Sequence, residues 1–449
     1  MHHQPQGVRL TEGFYQQLRR WISWPLLALF FIGPWVVIKG QPGFLFDFAA
    51  GRILIFGLYF SWQDLYLLTG LLIAAAFMLF ALAIYWGRVW CGFACPQSIW
   101  TWIFLRIEQW TEGPPQKRQT LQMTQPHLFW WKRSFKHSLW MLVALVTSLT
   151  FTAYFIPMRE LLSELARGEA PIYVWSWLLC MTLLTYLNAG LVREKICLHA
   201  CPYSRFQSAM MDETTKKVSY DYVRGEPRRQ RDRKQVAADA CIDCTLCVQV
   251  CPTGVDIREG MQAGCIDCGA CIDACDAVMV KIQQPKGLIR FASEQELSGQ
   301  VQPHKRWRLA GYLSLLLLAL SGVVYGFAHK TQMTAEVRRE RGELVRYLGD
   351  GTLCNFYHIK VESFDSRLQE VAVRLAGDHP LQLFGPELLP LDNLGEWVAY
   401  RLCVLDASAA RDLPPSLPVQ LEFMAGDVHL VRSTSFLSRA RGQASLTLE

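Results

Sequence analysis

Eight cysteines between residues 241 and 275 fall into two strings of the same form. The first is Cys241-Ile-Asp-Cys244-Thr-Leu-Cys247-Val-Gln-Val-Cys251-Pro252, and the second is Cys265-Ile-Asp-Cys268-Gly-Ala-Cys271-Ile-Asp-Ala-Cys275-Asp276. Both read C-x2-C-x2-C-x3-C. Three thiolates at gaps of two residues wrap one compact inorganic core, and the fourth points beyond it. A cubane of four irons needs one thiolate per iron, and in paired strings of this spacing the fourth Cys serves the other cluster. That assigns Cys241, Cys244, Cys247 and Cys275 to one [4Fe-4S] cluster, and Cys265, Cys268, Cys271 and Cys251 to a second. Zinc sites instead separate two C-x2-C pairs by a long spacer. Asp276 stands where the first string has Pro252, which alters a turn and removes no ligand.

A second pattern is Cys91-Gly-Phe-Ala-Cys95-Pro96-Gln-Ser98, repeated as Cys197-Leu-His-Ala-Cys201-Pro202-Tyr-Ser204. On a helix, the i,i+4 spacing puts each pair of sulfurs on one face. Buried cysteine as a small apolar filler would explain one pair, but not two matched ones. Soft thiolates suit copper(I), zinc or an iron–sulfur centre. Cys91, Cys95, Cys197 and Cys201 are therefore a candidate copper site. The C-x3-C-P string also closes the first ferredoxin-type run, so a further cluster is the alternative. Pro96 and Pro202 should each start a helix whose free N–H groups lower the nearby thiol pKa. His199 reads as a surface residue, Cys180 as packing, and Cys354 with Cys403 as a possible disulfide. No Rossmann glycine fingerprint and no haem C-x2-C-H string occurs, which implies an external electron donor.

The elements that must position these groups are membrane spans. Hydrophobic residues make up 51% of the 449 and charged residues only 19%, against about 25% in soluble domains. Five apolar runs, 21–38, 65–87, 138–157, 171–192 and 309–328, are long enough to cross a core of about 30 Å. Pro25 and Pro34 predict a kink in the first. The apolar stretch 43–61 carries Asp47 and Arg52, and reads as a hairpin or interfacial segment. Lys and Arg crowd residues 1–20, 88–137 and 193–308, which places those segments in the cytoplasm. Six positive residues in 224–234 fit this topology and contact with anionic lipid, not nucleic acid. Residues 329–449 hold 13 Lys+Arg against 16 Asp+Glu and belong outside.

The reading is a multidomain membrane protein. It has a cytoplasmic N-terminus (1–20), four transmembrane helices within 21–192 joined by the loop 88–137, a cytoplasmic ferredoxin-like α+β domain (193–308), a fifth span (309–328) and an exported domain (329–449). Six short β-type runs from Cys354 onward suggest an all-β immunoglobulin-like sandwich for the last.

These features together resemble the FixG/CcoG family of membrane-bound polyferredoxins, accessory proteins in assembly of cbb3-type cytochrome c oxidase. Gly87-Arg-Val-Trp-Cys91, the run from Cys241 to Gly254, Cys271-Ile-Asp-Ala-Cys275-Asp-Ala-Val-Met279 and Pro285-Lys-Gly-Leu-Ile-Arg290 carry the resemblance. It implies two [4Fe-4S] clusters, copper as substrate or ligand, and reduction of copper(II) to copper(I) by a cupric reductase. It also implies a bacterial inner-membrane location with a periplasmic C-terminal domain. The partners implied are oxidase assembly factors, copper carriers and a donor such as a soluble ferredoxin, a flavoprotein or quinol. A homodimer is possible. A quinol dehydrogenase feeding a partner reductase, or a non-catalytic assembly scaffold, are the alternative functions.

Overall fold

The computed structural model describes residues 7–38, 40–48, 51–61, 64–228, 240–260, 262–299, 306–340, 345–348, 352–365, 367–377, 379–391, 395–404 and 413–438. The basic positions 229–234 lie outside the described residues. The chain divides into two compact units, Met1–Leu45 with Leu67–Tyr325, and Phe46–Tyr66 with Gly326–Glu449.

Apolar sequence without water must satisfy its backbone internally, so it forms helix. Among the described residues three helices are long and apolar enough to cross a membrane: Leu65–Trp86, Ile172–Val192 and Trp307–Ala328. The second is α-helical over Ile172–Thr185 and continues as a π-helix over Tyr186–Val192. The other two apolar runs sit in helices that begin in charged sequence. Phe14–Ile32 carries Arg19 and Arg20 in its first half, and Pro126–Thr152 carries Lys132, Arg133 and Lys136. The first helix therefore starts earlier than the apolar run and stops earlier as well. Pro34 lies in the 3-10 turn Gly33–Trp35 that ends it, while Pro25 lies inside it.

The loop 88–137 is mostly helical. Pro96–Glu112 and Pro115–Thr124 each open on proline, whose missing N–H costs nothing in a first turn. These helices are held by buried ions. Glu108 pairs with Arg118 and, at 2.6 Å, with Arg193, and Glu112 meets Lys136 at 2.7 Å.

Around the cysteine strings the fold is small. Strands Lys217–Tyr220 and Ile289–Ala292 pair antiparallel, with Val218 opposite Phe291. The helix Leu246–Gln249 lies within the first string and carries Cys247, and Ala270–Lys281 carries Cys271 and Cys275 of the second. Val218, Tyr220, Ile272, Met279, Leu288 and Ile289 form the buried core.

The segment with Asp47 and Arg52 forms the short strands Phe44–Asp47, Arg52–Ile55 and Leu58–Ser61, of which the residues from Phe46 onward belong to the second unit. Farther on, Asp64 Oδ1 accepts hydrogen bonds from Thr331 N (3.1 Å) and Oγ1 (3.0 Å). The C-terminal region is two antiparallel sheets. Met333–Arg339, Leu353–Ser363, Trp397–Val404 and Gln382–Phe384 belong to one. Leu388–Pro390, Glu370–Ala376, Ser416–Ala425 and Val428–Leu437 form the other. Ile359 and Leu402 from the first share a core with Val371, Phe423 and Phe436 from the second. Cys354 and Cys403, register partners on adjacent strands, form a disulfide.

Candidate metal centre

Each ferredoxin-type string turns back on itself through left-handed backbone. Asp243 (φ 52°) and Thr245 (φ 57°) in the first match Asp267 (φ 50°) and Gly269 (φ 71°) in the second. Three of the four are not glycine, and such residues hold this conformation only where their surroundings enforce it. The enforcement is visible. Asp267 Oδ2 accepts from Arg88 N at 2.8 Å and its Oδ1 from Val218 N at 3.0 Å. Asp243 pairs with Arg258, which Asp256 also holds at 2.6 Å.

The curled loops enclose two cavities. Cys241, Cys244, Cys247 and Cys275 line one, with Tyr220 and Leu288. Cys251, Cys265, Cys268 and Cys271 line the other, with Val218, and Cys247 reaches its edge. Among the described residues no three of His, Cys, Asp and Glu gather closely enough to hold one metal ion. The sulfurs ring spaces and do not meet at a point, which fits a polynuclear core better than a lone zinc ion. Burial pushes the Cys247 and Cys275 thiols up to about 12, and Cys265 and Cys271 also rise. Loading such a site displaces protons.

The C-x3-C-P pairs depart from the helical-face expectation. Cys91 lies in the short helix Val89–Phe93, while Cys95 is extended (ψ 128°) and precedes the helix Pro96–Glu112. Likewise Cys197 lies in Glu194–His199, and Cys201 (ψ 113°) precedes Pro202–Met210. Proline disfavours the α conformation in the residue before it, so each helix must break inside its motif.

The break leaves the four thiols in one neighbourhood, though no three of them stand close enough to hold a single ion as the side chains lie here. Cys91 lies within electrostatic reach of Cys95, Cys197 and Cys201, with Arg88 nearby. Burial, then the neighbouring sulfurs, push Cys91 up to about 12 and Cys197 to about 11. Cys91 Sγ donates to Gln207 Oε1 at 3.2 Å. The motif's serine, Ser204, donates to the carbonyls of Cys197 (2.6 Å) and Cys201 (3.0 Å). Cys180 is exposed on its helix and is not core packing, and His199 is exposed too.

This quartet adjoins the second ferredoxin-type loop. A Cβ on Gly92 would lie 2.7 Å from Ile266 O and 2.8 Å from Cys268 Cα, so only glycine permits the approach. Arg19 donates to Gly92 O (3.1 Å) and Cys268 O (2.8 Å). Arg88 donates to Ala263 O (2.5 Å), Cys265 O (3.3 Å) and Ser204 O (2.8 Å). Sequence reasoning counted Arg19 only as a topology signal, and Arg88 as that and as one residue of the Gly87–Cys91 string, with a binding role for neither. It also passed over three aspartates that a thrice-repeated Cys-Ile-Asp marks: Asp243, Asp267 and Asp273. Asp273 accepts from Tyr15 N (3.1 Å) and Gln16 N (2.9 Å), capping a helix whose own N-cap is glycine. Asp276, in place of proline, accepts from Gly287 N at 2.9 Å and closes a turn.

Comparison with known proteins follows the same residues. The family model "4Fe-4S dicluster domain" matches 192–294, and "4Fe-4S binding domain" matches 66–101, which includes Cys91 and Cys95. Protein RdxB of Cereibacter sphaeroides is 34% identical over 405 residues, 85% of this chain and 83% of the relative. Protein RdxA of the same organism is 35% identical over 82% of this chain and 81% of its own length. Nitrogen fixation protein FixG of Rhizobium meliloti is 29% identical over 82% and 78%.

Proposed function

We propose that this chain, which belongs to the family of FixG, RdxA and RdxB and is a membrane iron–sulfur electron-transfer protein, reduces copper(II) to copper(I) in support of cbb3-type cytochrome c oxidase assembly. The observation that carries the reading is the quartet Cys91, Cys95, Cys197 and Cys201 seated against the Cys265–Cys268 loop through Gly92. Two [4Fe-4S] clusters, held by Cys241, Cys244, Cys247 and Cys275 and by Cys265, Cys268, Cys271 and Cys251, supply one-electron transfer when bound. The quartet's thiolates favour copper(I) over copper(II), so binding substrate there raises the copper couple's potential. Arg88 and Arg19 hold the quartet and the loop at fixed separation. Phe14–Ile32 and Pro126–Thr152 complete five spans, with basic loops inside, in a bacterial inner membrane. The two-sheet C-terminal domain, immunoglobulin-like in this reading, lies in the periplasm, and its partners are copper carriers and oxidase assembly factors.

The test is the double variant Cys95→Ser with Cys201→Ser, purified without oxygen. Copper(II) reduction should fall while iron per chain stays at the wild-type level. Unchanged reduction would reject the copper site. A second reading has its own support, because the 4Fe-4S binding model spans Cys91 and Cys95. If the quartet ligates a third cluster, the same variant should lose about four irons.

A further inference from the structure

The two C-x3-C-P motifs are held in place by unequal means. Around Cys91 the chain is locked, through Gly92 against the Cys268 loop and through the Arg88 and Arg19 guanidinium groups. The helix Glu194–His199, which carries Cys197, buries none of its residues. Its far end is fastened by Ser204, which donates to the Cys197 carbonyl. Its near end is set by Arg193, the joint between that helix and the π-helix Tyr186–Val192.

Arg193 holds a conformation rare for its residue type. Its φ of 51° and ψ of −121° are those of the first corner of a type II′ turn, where glycine is the ordinary occupant. A residue with a Cβ stays there only where its surroundings enforce it. Here they do. Arg193 N donates to Asn188 O at 2.7 Å, and its Nε donates to Gly190 O at 2.8 Å. Its Nη2 meets Glu108 Oε2 at 2.6 Å, and the guanidinium lies 5.5 Å from the centre of the Trp140 ring. The Arg193 carbonyl accepts from Gln97 Nε2 at 3.2 Å, and the same amide donates to Asn188 O at 3.4 Å. Gln97 and Glu108 both belong to the helix Pro96–Glu112, which starts directly after Cys95. The helix that follows one cysteine pair thus grips the residue that introduces the other.

We infer that Arg193 is a positioning residue for the thiol quartet. Its guanidinium, held by Glu108, Gly190 and Trp140, keeps the backbone at a glycine-type corner and so fixes how far Cys197 and Cys201 stand from Cys91 and Cys95. The inference rests on the reading of the quartet as one copper site, and it adds what holds the two halves of that site in register. Two substitutions separate it from a merely stabilising ion pair. Arg193→Ala loses the guanidinium and keeps a Cβ, so the corner relaxes and the helix Glu194–His199 shifts. Arg193→Gly loses the same contacts, yet occupies the corner without steric cost. A stabilising pair alone makes the two variants equal, and a held corner makes them differ.

The experiment measures transfer of copper(I) from its bathocuproine disulfonate complex to the full-length, iron-loaded protein in detergent, without oxygen. Transfer to the quartet is the part lost in Cys95→Ser with Cys201→Ser. Arg193→Gly should bind there as wild type does, and Arg193→Ala about tenfold more weakly, the scale of strain at such a corner. Gln97→Leu, which releases the Arg193 carbonyl and leaves the ion pair alone, should also weaken binding. Iron per chain should stay at the wild-type level in all three. Equal affinities in Arg193→Ala and Arg193→Gly overturn the inference. If wild type transfers no copper to the quartet, the copper reading falls, and hydrogen exchange then decides this one. The Ala200 and Cys201 amides, both bonded to Ile196 O, should exchange faster in Arg193→Ala than in Arg193→Gly, and equal rates reject the joint.

Discussion

Gly92→Ala tests whether the C-x3-C-P cysteines are built against the ferredoxin-type loop. The added methyl would stand 2.7 Å from Ile266 O, 2.8 Å from Cys268 Cα and 3.0 Å from Asp267 O, where ordinary contact begins near 3.4 Å. The nearest atom must retreat by about 0.7 Å, and backbone has no rotamer to yield. Overpacking of this kind costs about 1–3 kcal/mol. Alanine recovers about 0.5–1 kcal/mol of that, because Gly92 lies in a helix whose φ alanine adopts freely. The net loss should be about 0–2.5 kcal/mol, centred on about 1 kcal/mol, and it should fall on the loop carrying Cys265 and Cys268. Melting followed anaerobically, with iron counted per chain, should show a lower transition and faster iron loss. Gly311→Ala is the control, since nothing lies within 4 Å of its added Cβ. If both variants melt and keep iron alike, the close approach is not part of the folded protein.

Glu108→Gln should destabilise by about 3 kcal/mol at neutral pH, because it takes the shared carboxylate from half-buried Arg193 and leaves buried Arg118 only Glu112 at 3.7 Å. Burial alone would raise the Glu108 pKa, but Arg193, Arg118 and Lys136 outweigh it and hold the group below its ordinary value. Its stabilisation is therefore complete above an unfolded pKa near about 4.3 and is lost as pH falls through the lower folded value. Melts between pH 7 and pH 3 should show a shallower acid limb in Glu108→Gln than in wild type, and equal limbs would contradict the assignment. Asp273→Ala should cost about 0.5–2 kcal/mol by uncapping the Phe14–Ile32 helix, seen as faster hydrogen exchange at Tyr15 and Gln16.

What the sequence made legible follows the range over which each feature is determined. The cysteine spacings are local, so the grouping of eight thiols around two cavities could be read from the strings themselves. Runs such as Leu65–Trp86 are uniformly apolar and announce their helices. The bounds of Phe14–Ile32 did not follow from hydropathy, because its first turns are set by a carboxylate 257 residues away. The helical-face expectation for Cys91 and Cys95 gives way to the other one drawn from the same motif: Pro96 starts a helix, and it holds Cys95 out of the α conformation. Strand Met333–Arg339 was missed since its polar alternation has meaning only against Leu353–Ser363, its partner in the sheet. Burial pushes the Cys91 and Cys197 thiols up, which depends on packing from distant segments and has no mark in the motif itself.

The repeated Cys-Ile-Asp joins ligand and scaffold in one tripeptide. In each, the cysteine lines a cavity while the aspartate holds a neighbour: Arg258 for Asp243, Arg88 N and Val218 N for Asp267, and Tyr15 N and Gln16 N for Asp273. Asp267 is the sharpest of these, for its two oxygens tie the end of the Leu65–Trp86 helix to the strand Lys217–Tyr220. Asp267→Asn isolates that tie. Asparagine tolerates the left-handed φ of 50° at this position, so the backbone need not change. Its amide, however, keeps one acceptor and turns the other into a donor facing an N–H. Whichever way it flips, one of the two hydrogen bonds is lost and a buried donor is left without a partner, at a cost of about 1–3 kcal/mol. The expected result is a lower melting temperature with faster exchange at either Arg88 N or Val218 N, not both. If both amides stay protected and the melting temperature holds, Asp267 does not fasten the two segments, and the hydrogen bonds from Lys216 N to Tyr85 O (3.0 Å) and from Thr215 Oγ1 to Ile84 O (2.9 Å) suffice to join them.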